Sequence, residues 1–331
     1  MINLQQKKVL VTGGAGFVGS NLVRTLVQKH GAAVTVLDNL FTGDAANLDG
    51  VAHLSINGSV EDKATVEKCV KGKDIVFHLA SRNIIMSNDD PRGDLNVNVG
   101  GSYNVFEACV KHKVPRVIYT STSSVYGNPK SLPVQESDPK NFLNFYSASK
   151  YSAEVYAKTF HEVFGLPVTI LRYSNIYGDY QTPSNPYCGV VGKFIAAALD
   201  GEPLKIHGDG LQTRDYTYIT DAVNATIAAA VCPQAVGEDY NIGTGVQSSV
   251  LDVAKAVIEL TGSSSTIEHV ENRDIDNIRN RCICISKAVK HLQYRPDFTV
   301  EEGLKATVQW MLRTAAKAGL SALAVANVMV A

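Results

Sequence analysis

The chain has 331 residues, of which 45% are hydrophobic and 19% are charged, and its formal net charge is -1. This composition is typical of a globular protein with a large core, and the near-zero charge excludes a basic surface that would attract nucleic acid or anionic lipid. The 6 cysteines lack the spacing of metal ligands, and no segment reaches the ~20 apolar residues of a membrane span, so we expect free thiols, no metal and a cytoplasmic location.

The first half of the chain alternates short β-branched runs with amphipathic stretches. The runs predict strands at 8–12, 33–38, 51–56, 74–80, 116–122 and 167–173. The amphipathic stretches predict helices at 17–29, 61–71, 94–112 and 147–164. Because continuous apolar strands separated by helices form a parallel sheet that is covered on both faces, we expect an α/β fold with a Rossmann-type doubly wound parallel sheet.

The regular alternation ends near residue 175. Beyond it, helical patterns and short strands are expected at 190–200, 204–206, 239–243, 249–260 and 300–318. We expect residues 1–175, with returning segments near 215–242, to form the sheet domain. Residues 176–214 and 243–331 then form a smaller, discontinuous C-terminal domain over the carboxyl edge of the sheet, where open α/β folds bind ligands.

A glycine-rich segment, TGGAGFVGS at 12–20, follows the first strand and opens the first helix. Gly13 can make the tight turn, Gly16 can let the backbone approach a pyrophosphate, and Gly19 can let the helix pack closely on the sheet. The free N–H groups at the start of the helix favour phosphate binding. An ordinary glycine-rich turn is the alternative. If the segment binds a dinucleotide, the contacts come from Gly13, Gly16, Phe17, Val18 and Gly19.

Asp38 ends the second predicted strand, in the sequence VLDNL, and Asn39 follows it. A carboxylate at this place accepts hydrogen bonds from the ribose diol of adenosine and repels a 2′-phosphate. We therefore expect NAD rather than NADP as the cofactor. A solvated loop carboxylate or a helix cap is the alternative interpretation.

Tyr146 and Lys150 stand four residues apart in YSASK (146–150), so a helix places them on one face. Free tyrosine has a pKa of about 10, and a neighbouring ammonium lowers it. A phenolate beside a nicotinamide can take the proton of a sugar hydroxyl while hydride leaves the same carbon. The pattern Y-x-x-x-K also occurs by chance in many helices, so further groups must support it.

Hydroxyl groups follow the fifth strand in YTSTSSVYG (119–127). They can bond the reacting oxygen and hold it against Tyr146, although an ordinary serine-rich turn is the alternative. Asn98 lies in the helix before that strand, where its amide can fix the helix or the cofactor loop.

These motifs occur together with HLAS (78–81), LRYSNIYG (171–178), GDGLQTRDYTYITD (208–221) and YNIGTG (240–245). In this order the chain resembles, over nearly its whole length, the extended short-chain dehydrogenase/reductases. Within them it is most similar to the NAD-dependent nucleotide-sugar epimerase/dehydratase family, and UDP-glucose and UDP-glucuronate 4-epimerases are among the nearest in pattern.

The resemblance implies NAD as the cofactor and a catalytic set of Thr122, Tyr146 and Lys150. It implies further cofactor contacts from Asn39, Ser59, Val60, Leu79, Ala80, Ser81, Asn98, Tyr146, Lys150 and Tyr173, with Lys150 bonded to the nicotinamide ribose. It implies nucleotide-sugar contacts from Ser87, Thr122, Ser123, Asn175, Arg214, Arg273 and Arg281. For Arg214, a salt bridge between domains is the alternative.

Three places depart from the family pattern. Ser59 stands where the family usually has an aspartate that contacts adenine. The loop that contains Arg82 and Asn83 is one residue shorter than usual. Arg281 stands where epimerases often carry a tyrosine or a cysteine near the sugar. The identity of the sugar therefore stays open, and a sugar whose carboxylate binds Arg281 is one option.

The resemblance implies 4-epimerisation of a UDP-sugar through a transient 4-keto intermediate. The related dehydratases carry Asp-Glu directly after their threonine, and the related decarboxylases keep a Glu at the second position. This chain has Ser123 and Ser124 there, and a hydroxyl cannot readily replace a carboxylate in proton transfer. We therefore expect net inversion at C4. A 4,6-dehydratase, a uronate decarboxylase and a non-catalytic NAD-binding sensor are the alternatives.

The resemblance also implies a homodimer. The two long predicted helices, 94–112 and 147–164, could pair with the same helices of a second copy in a four-helix contact.

Overall fold

The computed structural model describes residues 3–181, 188–272 and 278–317. The strands are β1 (Lys8–Thr12), β2 (Ala33–Asp38), β3 (Leu54–Asn57), β4 (Ile75–His78), β5 (Val117–Thr122), β6 (Val168–Tyr173), β7 (Asn175–Tyr177), β8 (Leu204–His207), β9 (Thr213–Arg214), β10 (Tyr216–Tyr218), β11 (Asp239–Ile242), β12 (Ser248–Ser249) and β13 (Ile267–Val270). The helices are α1 (Phe17–Gln28), α2 (Lys63–Val70), α3 (Ile84–Asp89), α4 (Pro91–Asp94), α5 (Ser102–Lys111), α6 (Phe145–Phe164), α7 (Val190–Asp200), α8 (Ile219–Val231), α9 (Val250–Thr261), α10 (Ser286–Leu292) and α11 (Val300–Lys317).

Seven parallel strands form the main sheet, in the order β11-β6-β5-β4-β1-β2-β3. The predicted Rossmann-type doubly wound sheet is therefore confirmed. The strand order reverses between β1 and β4, and open α/β folds bind ligands at such a reversal, outside the carboxyl ends of the strands. Among the residues that end strands at this edge are Thr12, Asp38, His78, Thr122 and Tyr173.

Helices cover both faces of the sheet. In β1, Val9 and Val11 pack into the same core as side chains of α1 and α8, whereas Leu10 packs into a second core with side chains of α2, α5 and α6. Successive residues of a strand point to opposite faces, so one strand supplies both cores. This two-sided burial is the reason that the strands read as continuous apolar runs.

Two of the differences from the sequence prediction have a visible structural cause. β3 begins at Leu54 rather than at residue 51, because Val51 closes the turn that follows a 3₁₀ helix. The predicted helix at 94–112 is interrupted, and a π-helical turn at Leu95–Gly101 separates α4 from α5. In that turn, a Cβ atom at Gly101 would come within 2.5 Å of Val60, so the glycine allows the helix to approach the loop after β3.

The second half of the chain adds three small sheets, which pair β7 with β10, β9 with β12, and β8 with β13. β11 returns to the main sheet and pairs with β6, with Tyr240 opposite Leu171. The exact division into two domains stays a prediction. Within the described ranges, no helix is long and apolar enough to cross a membrane, and no three His, Cys, Asp or Glu side chains form a potential metal site.

Candidate active site

A cavity of about 510 Å³ lies at the carboxyl edge of the sheet. Most of the site residues predicted from the sequence line it, namely Gly13, Gly16, Phe17, Val18, Gly19, Asp38, Asn39, Ser59, Val60, Leu79, Ala80, Ser81, Thr122, Tyr146, Tyr173 and Asn175. We call the region around Asp38 and Glu61 the Asp38 end of the cavity. The region around Thr122 and Tyr146 is the Tyr146 end.

The glycine turn between β1 and α1 lies between the two ends. Gly13 has a φ of 70°, and a Cβ atom there would lie 2.8 Å from the backbone nitrogen of Ala80. At Gly19, a Cβ atom would lie 2.0 Å from the carbonyl oxygen of Gly13. Neither position can hold a side chain, so the turn packs closely against the loop after β4. The bare backbone beside the N terminus of α1 fits the pyrophosphate of a dinucleotide.

The Asp38 end presents carboxylate acceptors. Asp38 Oδ2 accepts a hydrogen bond from the Ala15 backbone N–H at 2.9 Å, and Oδ1 accepts one from Leu40 at 2.9 Å. These bonds fix the carboxylate at the end of β2. Ser59 Oγ donates to Glu61 Oε2 at 3.1 Å, so a carboxylate stands two residues after the position that departs from the family pattern. This end can accept hydrogen bonds from the hydroxyl and amino groups of a nucleoside.

The Tyr146 end is formed by the start of α6. Asn144 caps this helix by accepting a 2.8 Å hydrogen bond from a backbone N–H of the first turn, which places Tyr146 in that turn and Lys150 one turn later. Thr122 and Tyr146 both line the cavity here. Burial raises the pKa of Tyr146 to about 12, and the Thr122 hydroxyl acts in the opposite direction.

Lys150 follows Tyr146 by one turn of α6, is 2% exposed and does not line the cavity. Its ammonium nitrogen is 4.4 Å from the ring centroid of Tyr119, and it forms no ion pair with any described carboxylate. Burial lowers the pKa of Lys150 to about 7, although the charges of Glu154 and Asp94 favour the ammonium. A lysine that titrates near neutral pH beside a phenol is an arrangement suited to proton transfer.

A buried ionic network holds α6 against the sheet. Arg172 Nη2 lies 2.7 Å from Glu154 Oε2, and Arg172 Nη1 lies 2.7 Å from Asp239 Oδ2. Ser121 Oγ donates to the other oxygen of Glu154 at 2.5 Å, and the Tyr126 hydroxyl accepts from Arg172 at 2.9 Å. The network joins α6 to β5, β6 and β11 directly behind the cavity.

Some predicted site residues do not line the cavity. Ser87 is fully buried, and its hydroxyl donates to Asp94 Oδ1 at 2.6 Å instead of facing the predicted substrate. Asn98 is also fully buried, and its Oδ1 accepts a hydrogen bond from the backbone of Arg82 at 2.8 Å, which fixes the loop after β4. Ser123 is 2% exposed in the turn after β5. Ser87 and Ser123 face inward because short helical turns follow β4 and β5.

The three predicted substrate arginines have different places. Arg214 donates to the carbonyl oxygens of Thr213 at 2.9 Å and Ile278 at 2.8 Å, so it joins β9 to the segment after residue 277. Arg281 is 3% exposed and does not line the cavity, but its positive charge opposes the burial that raises the pKa of Tyr146. Arg273 lies outside the described residues.

Several residues of the cavity wall were not predicted from the sequence, and Gln181 and Arg82 are two polar examples. Gln181 lies in the wall with Asn175, and the amide oxygens of both are buried without a hydrogen-bond partner in the described chain. Because unpaired buried acceptors are costly, both amides fit hydrogen bonds from a bound ligand. Arg82 lines the wall as well, 5.5 Å from the ring of Phe41 and 2.6 Å from Asp90. Both residues lie in turn-rich segments without a periodic signal.

The fold and this cavity agree with the comparison to known proteins. The model of the NAD dependent epimerase/dehydratase family matches residues 9–243. The UDP-N-acetyl-alpha-D-glucosaminuronate decarboxylase of Bacillus cytotoxicus is 38% identical over 325 residues, which cover 92% of this chain and 98% of that protein. The structure of UDP-glucose 4-epimerase from Thermotoga maritima with UDP-glucose is similar with a TM-score of 0.89 at 36% identity, covering 93% of this chain and 99% of that one.

The structure of UDP-glucuronic acid 4-epimerase from Bacillus cereus, in complex with UDP-glucuronic acid and NAD, has a TM-score of 0.85 at 32% identity and covers 93% of this chain and 99% of that one. The resemblance predicted from the sequence motifs is confirmed. The glycine turn between β1 and α1 and the carboxylate of Asp38 fit NAD, the cofactor of this family. This chain belongs to the NAD-dependent epimerase/dehydratase family, and NAD is its cofactor.

Proposed function

We propose that the protein interconverts the C4 epimers of a nucleotide sugar, in particular a UDP-sugar. The observation that supports this is a Tyr146 end whose described cavity wall presents a tyrosine and a threonine, with a buried lysine one helical turn away, but no carboxylate. Among the described residues of the cavity wall, the carboxylates are Asp38 and Glu61, and both lie at the opposite end. Such a site can exchange a proton with a sugar hydroxyl. It lacks the carboxylate that would assist elimination of water or loss of a substrate carboxylate.

Tyr146 is the group that exchanges the proton of the sugar O4 hydroxyl. Its phenol faces the cavity beside Thr122, so a hydroxyl bound there can contact both oxygens. The ammonium of Lys150 stabilises the phenolate form of Tyr146 because opposite charges favour each other in a buried site. Bound NAD supplies the acceptance and return of hydride at the same sugar carbon. The buried amide oxygens of Asn175 and Gln181 accept hydrogen bonds from the substrate.

A uronate decarboxylase is the second candidate, because the Bacillus cytotoxicus relative carries that name. Its reaction would begin with the same removal of the O4 proton. The two reactions differ in the next step, in which a carboxylate of the enzyme assists loss of the substrate carboxylate. Ser123 and Ser124 take the corresponding positions in this chain, and neither lines the cavity. We therefore favour the epimerase.

The test uses the NAD-loaded protein and a panel of UDP-, dTDP-, GDP- and CDP-linked hexoses and uronates in D₂O, followed by NMR. We expect an inverted C4 with the original proton retained at C5. Deuterium at C5 or a 4-keto-6-deoxy product would support a dehydratase, and loss of the carboxylate would support a decarboxylase. If no sugar turns over but a protein partner binds in an NAD-dependent manner, the sensor function is favoured.

We also propose that the protein is a homodimer. Several large apolar side chains are exposed around α5 and α6, namely Leu95, Tyr103, Val155, Tyr156, Val163 and Phe164. Exposed apolar patches of this kind mark contact surfaces. Light scattering should give twice the chain mass, and Tyr156→Glu should give a monomer. A cytoplasmic location remains a prediction.

A further inference from the structure

Asp94 is a buried carboxylate to which neither the sequence motifs nor the proposed reaction assign a role. It is the last residue of α4, directly before the π-helical turn, and it is 2% exposed. Its Oδ1 accepts three hydrogen bonds, from Ser87 Oγ at 2.6 Å, Asn98 Nδ2 at 2.5 Å and Ser149 Oγ at 3.0 Å. One oxygen atom therefore ties together α3, the π-helical turn and α6.

Two of these three hydrogen bonds connect Asp94 to segments that contribute to the cavity wall. Ser149 stands between Tyr146 and Lys150 on α6, so its bond to Asp94 holds the helix turn that carries both groups. Asn98 also accepts a hydrogen bond from the backbone of Arg82 and thereby fixes the loop after β4, which lines the cavity. Asp94 thus sets the position of α6, which carries Tyr146, relative to the loop after β4 that packs against the glycine turn.

The charges around Lys150 give Asp94 a second effect. His78, from β4, is neutral near pH 7 because burial lowers its pKa to about 3, and Tyr119, from β5, is neutral because burial raises its pKa. Two carboxylates remain, Glu154 on α6 and Asp94 on α4.

Glu154 is neutralised by Arg172 at 2.7 Å, whereas Asp94 forms no ion pair within the described chain. Arg82, the other cation near Asp94, pairs with Asp90. Burial raises the pKa of Asp94, but the hydrogen bonds from Ser87 and Ser149 and the charge of Lys150 favour its ionised form. Among the described residues around Lys150, Asp94 and Lys150 itself are therefore charged groups that lack a direct partner of opposite sign.

We propose that Asp94 is a positioning residue, which keeps Lys150 charged at neutral pH and holds the Tyr146 helix against the cofactor loop. The proposal rests on the proposed function, because it assigns to Asp94 an effect on the Tyr146–Lys150 pair. The other charged or polar groups that act on Tyr146 are Thr122 and Arg281.

A negative charge near Lys150 favours the ammonium and raises its pKa, and the same charge near Tyr146 disfavours the phenolate and raises the pKa of that group. Removing the charge of Asp94 lowers both pKa values. As the pH rises, a property that needs a charged Lys150 is then lost at a lower pH than in the unaltered protein.

Asp94→Asn is a suitable variant because all three hydrogen bonds go to Oδ1, so the amide oxygen of asparagine can accept all of them. The substitution removes the charge and leaves the contacts. Ser87→Ala is the matched control, since it removes one of the three contacts and leaves the charge. Lys150→Met identifies the part of the pH dependence that belongs to Lys150.

The primary measurement is the dissociation constant of NAD between pH 6 and 9, which does not depend on the identity of the sugar. For the unaltered protein we expect affinity to fall as Lys150 loses its proton, and for Lys150→Met we expect no such fall. In Asp94→Asn the midpoint should move to lower pH by about half a unit or more, as expected for a buried charge that is near but not in contact. In Ser87→Ala the midpoint should move less than in Asp94→Asn, because the carboxylate remains although it loses one of the hydrogen bonds that favour its ionised form. The pH profile of kcat/KM with UDP-glucose should shift in the same direction.

The proposal is overturned if the midpoint of Asp94→Asn coincides with that of the unaltered protein, or if Ser87→Ala moves it equally. If Tyr146→Phe keeps normal turnover, the proposed function fails, while the NAD measurement still decides the role of Asp94. Should Asp94→Asn not fold, the double variant Asp94→Asn with Lys150→Met provides the test. Recovery of folding in the double variant supports a pair of compensating charges, and no recovery contradicts it.

Discussion

The two ends of the cavity place their charged groups in opposite surroundings. Behind the cavity wall at the Tyr146 end, Lys150, Asp94 and Glu154 are at most 2% exposed. At the Asp38 end, Glu61 is exposed and Asp38 is half-buried. A charge acts more strongly in the low dielectric of a buried site than beside water, where ions also screen it. The buried end is therefore suited to setting protonation states, and the open end is suited to recognition by hydrogen bonds.

The largest effect is expected from breaking the buried ion pair behind Lys150. Glu154→Gln leaves Arg172 with one carboxylate fewer, and removing one partner of a buried pair costs about 3 kcal/mol. Urea denaturation should show this loss of unfolding free energy. Glu107→Gln is the control, because Glu107 pairs with Lys63 at 2.7 Å on the exposed surface and its loss should leave the denaturation midpoint nearly unchanged. Similar effects of the two substitutions would contradict the comparison between buried and exposed charges.

The next largest effect is expected on turnover, at the Tyr146 end of the cavity. Tyr146→Phe removes the hydroxyl that exchanges the proton but keeps the ring, so turnover should fall by about 10²-fold or more. NAD affinity, measured by fluorescence titration, should stay close to normal. Tyr151→Phe serves as the control, because Tyr151 packs on Phe142 and does not line the cavity. Near-normal turnover of Tyr146→Phe would refute the proton-transfer role.

A smaller effect is expected at the Asp38 end. Asp38 should make NAD bind more tightly than NADP by at least about tenfold, or about 1.4 kcal/mol, because its carboxylate repels a 2′-phosphate. Asp38→Asn should reduce this preference to about threefold or less, since the repulsion is lost while an acceptor remains. Calorimetric titration with both cofactors measures the ratio. Asp44→Asn, in the same loop but outside the cavity wall, should keep the original preference.

The smallest effect is expected from Glu61, which is exposed beside Ser59. Glu61→Gln should change NAD affinity by less than about threefold, because surface charges contribute little and are screened by salt. The difference between variant and unaltered protein should shrink further when the salt concentration is raised from 0.05 to about 0.5 M. A tenfold loss that persists at high salt would instead show that Glu61 makes a direct, water-shielded contact with the cofactor.

The local features of the molecule could be predicted from the sequence. The alternation of apolar runs and amphipathic stretches predicted the main sheet, since strand and helix periods depend only on nearby residues. Asp38 could be placed at the sheet edge because it ends a strand, and Tyr146 and Lys150 could be placed together because a helix brings residues four apart onto one face. The glycine spacing predicted a turn in which Gly13 and Gly19 have no room for side chains.

Only the tertiary structure decided which polar residues meet across the chain. Asp94 and Ser149 are 55 positions apart, and Arg172 lies 18 positions from Glu154, so no local pattern could pair them. For the same reason Ser87 was expected at the substrate and is buried against Asp94 instead. Burial itself is a property of the packed molecule, and burial is what lowers the pKa of Lys150 to about 7. The sequence by itself determined the fold and the order of its motifs, whereas the packing of distant segments determined the electrostatics of the site.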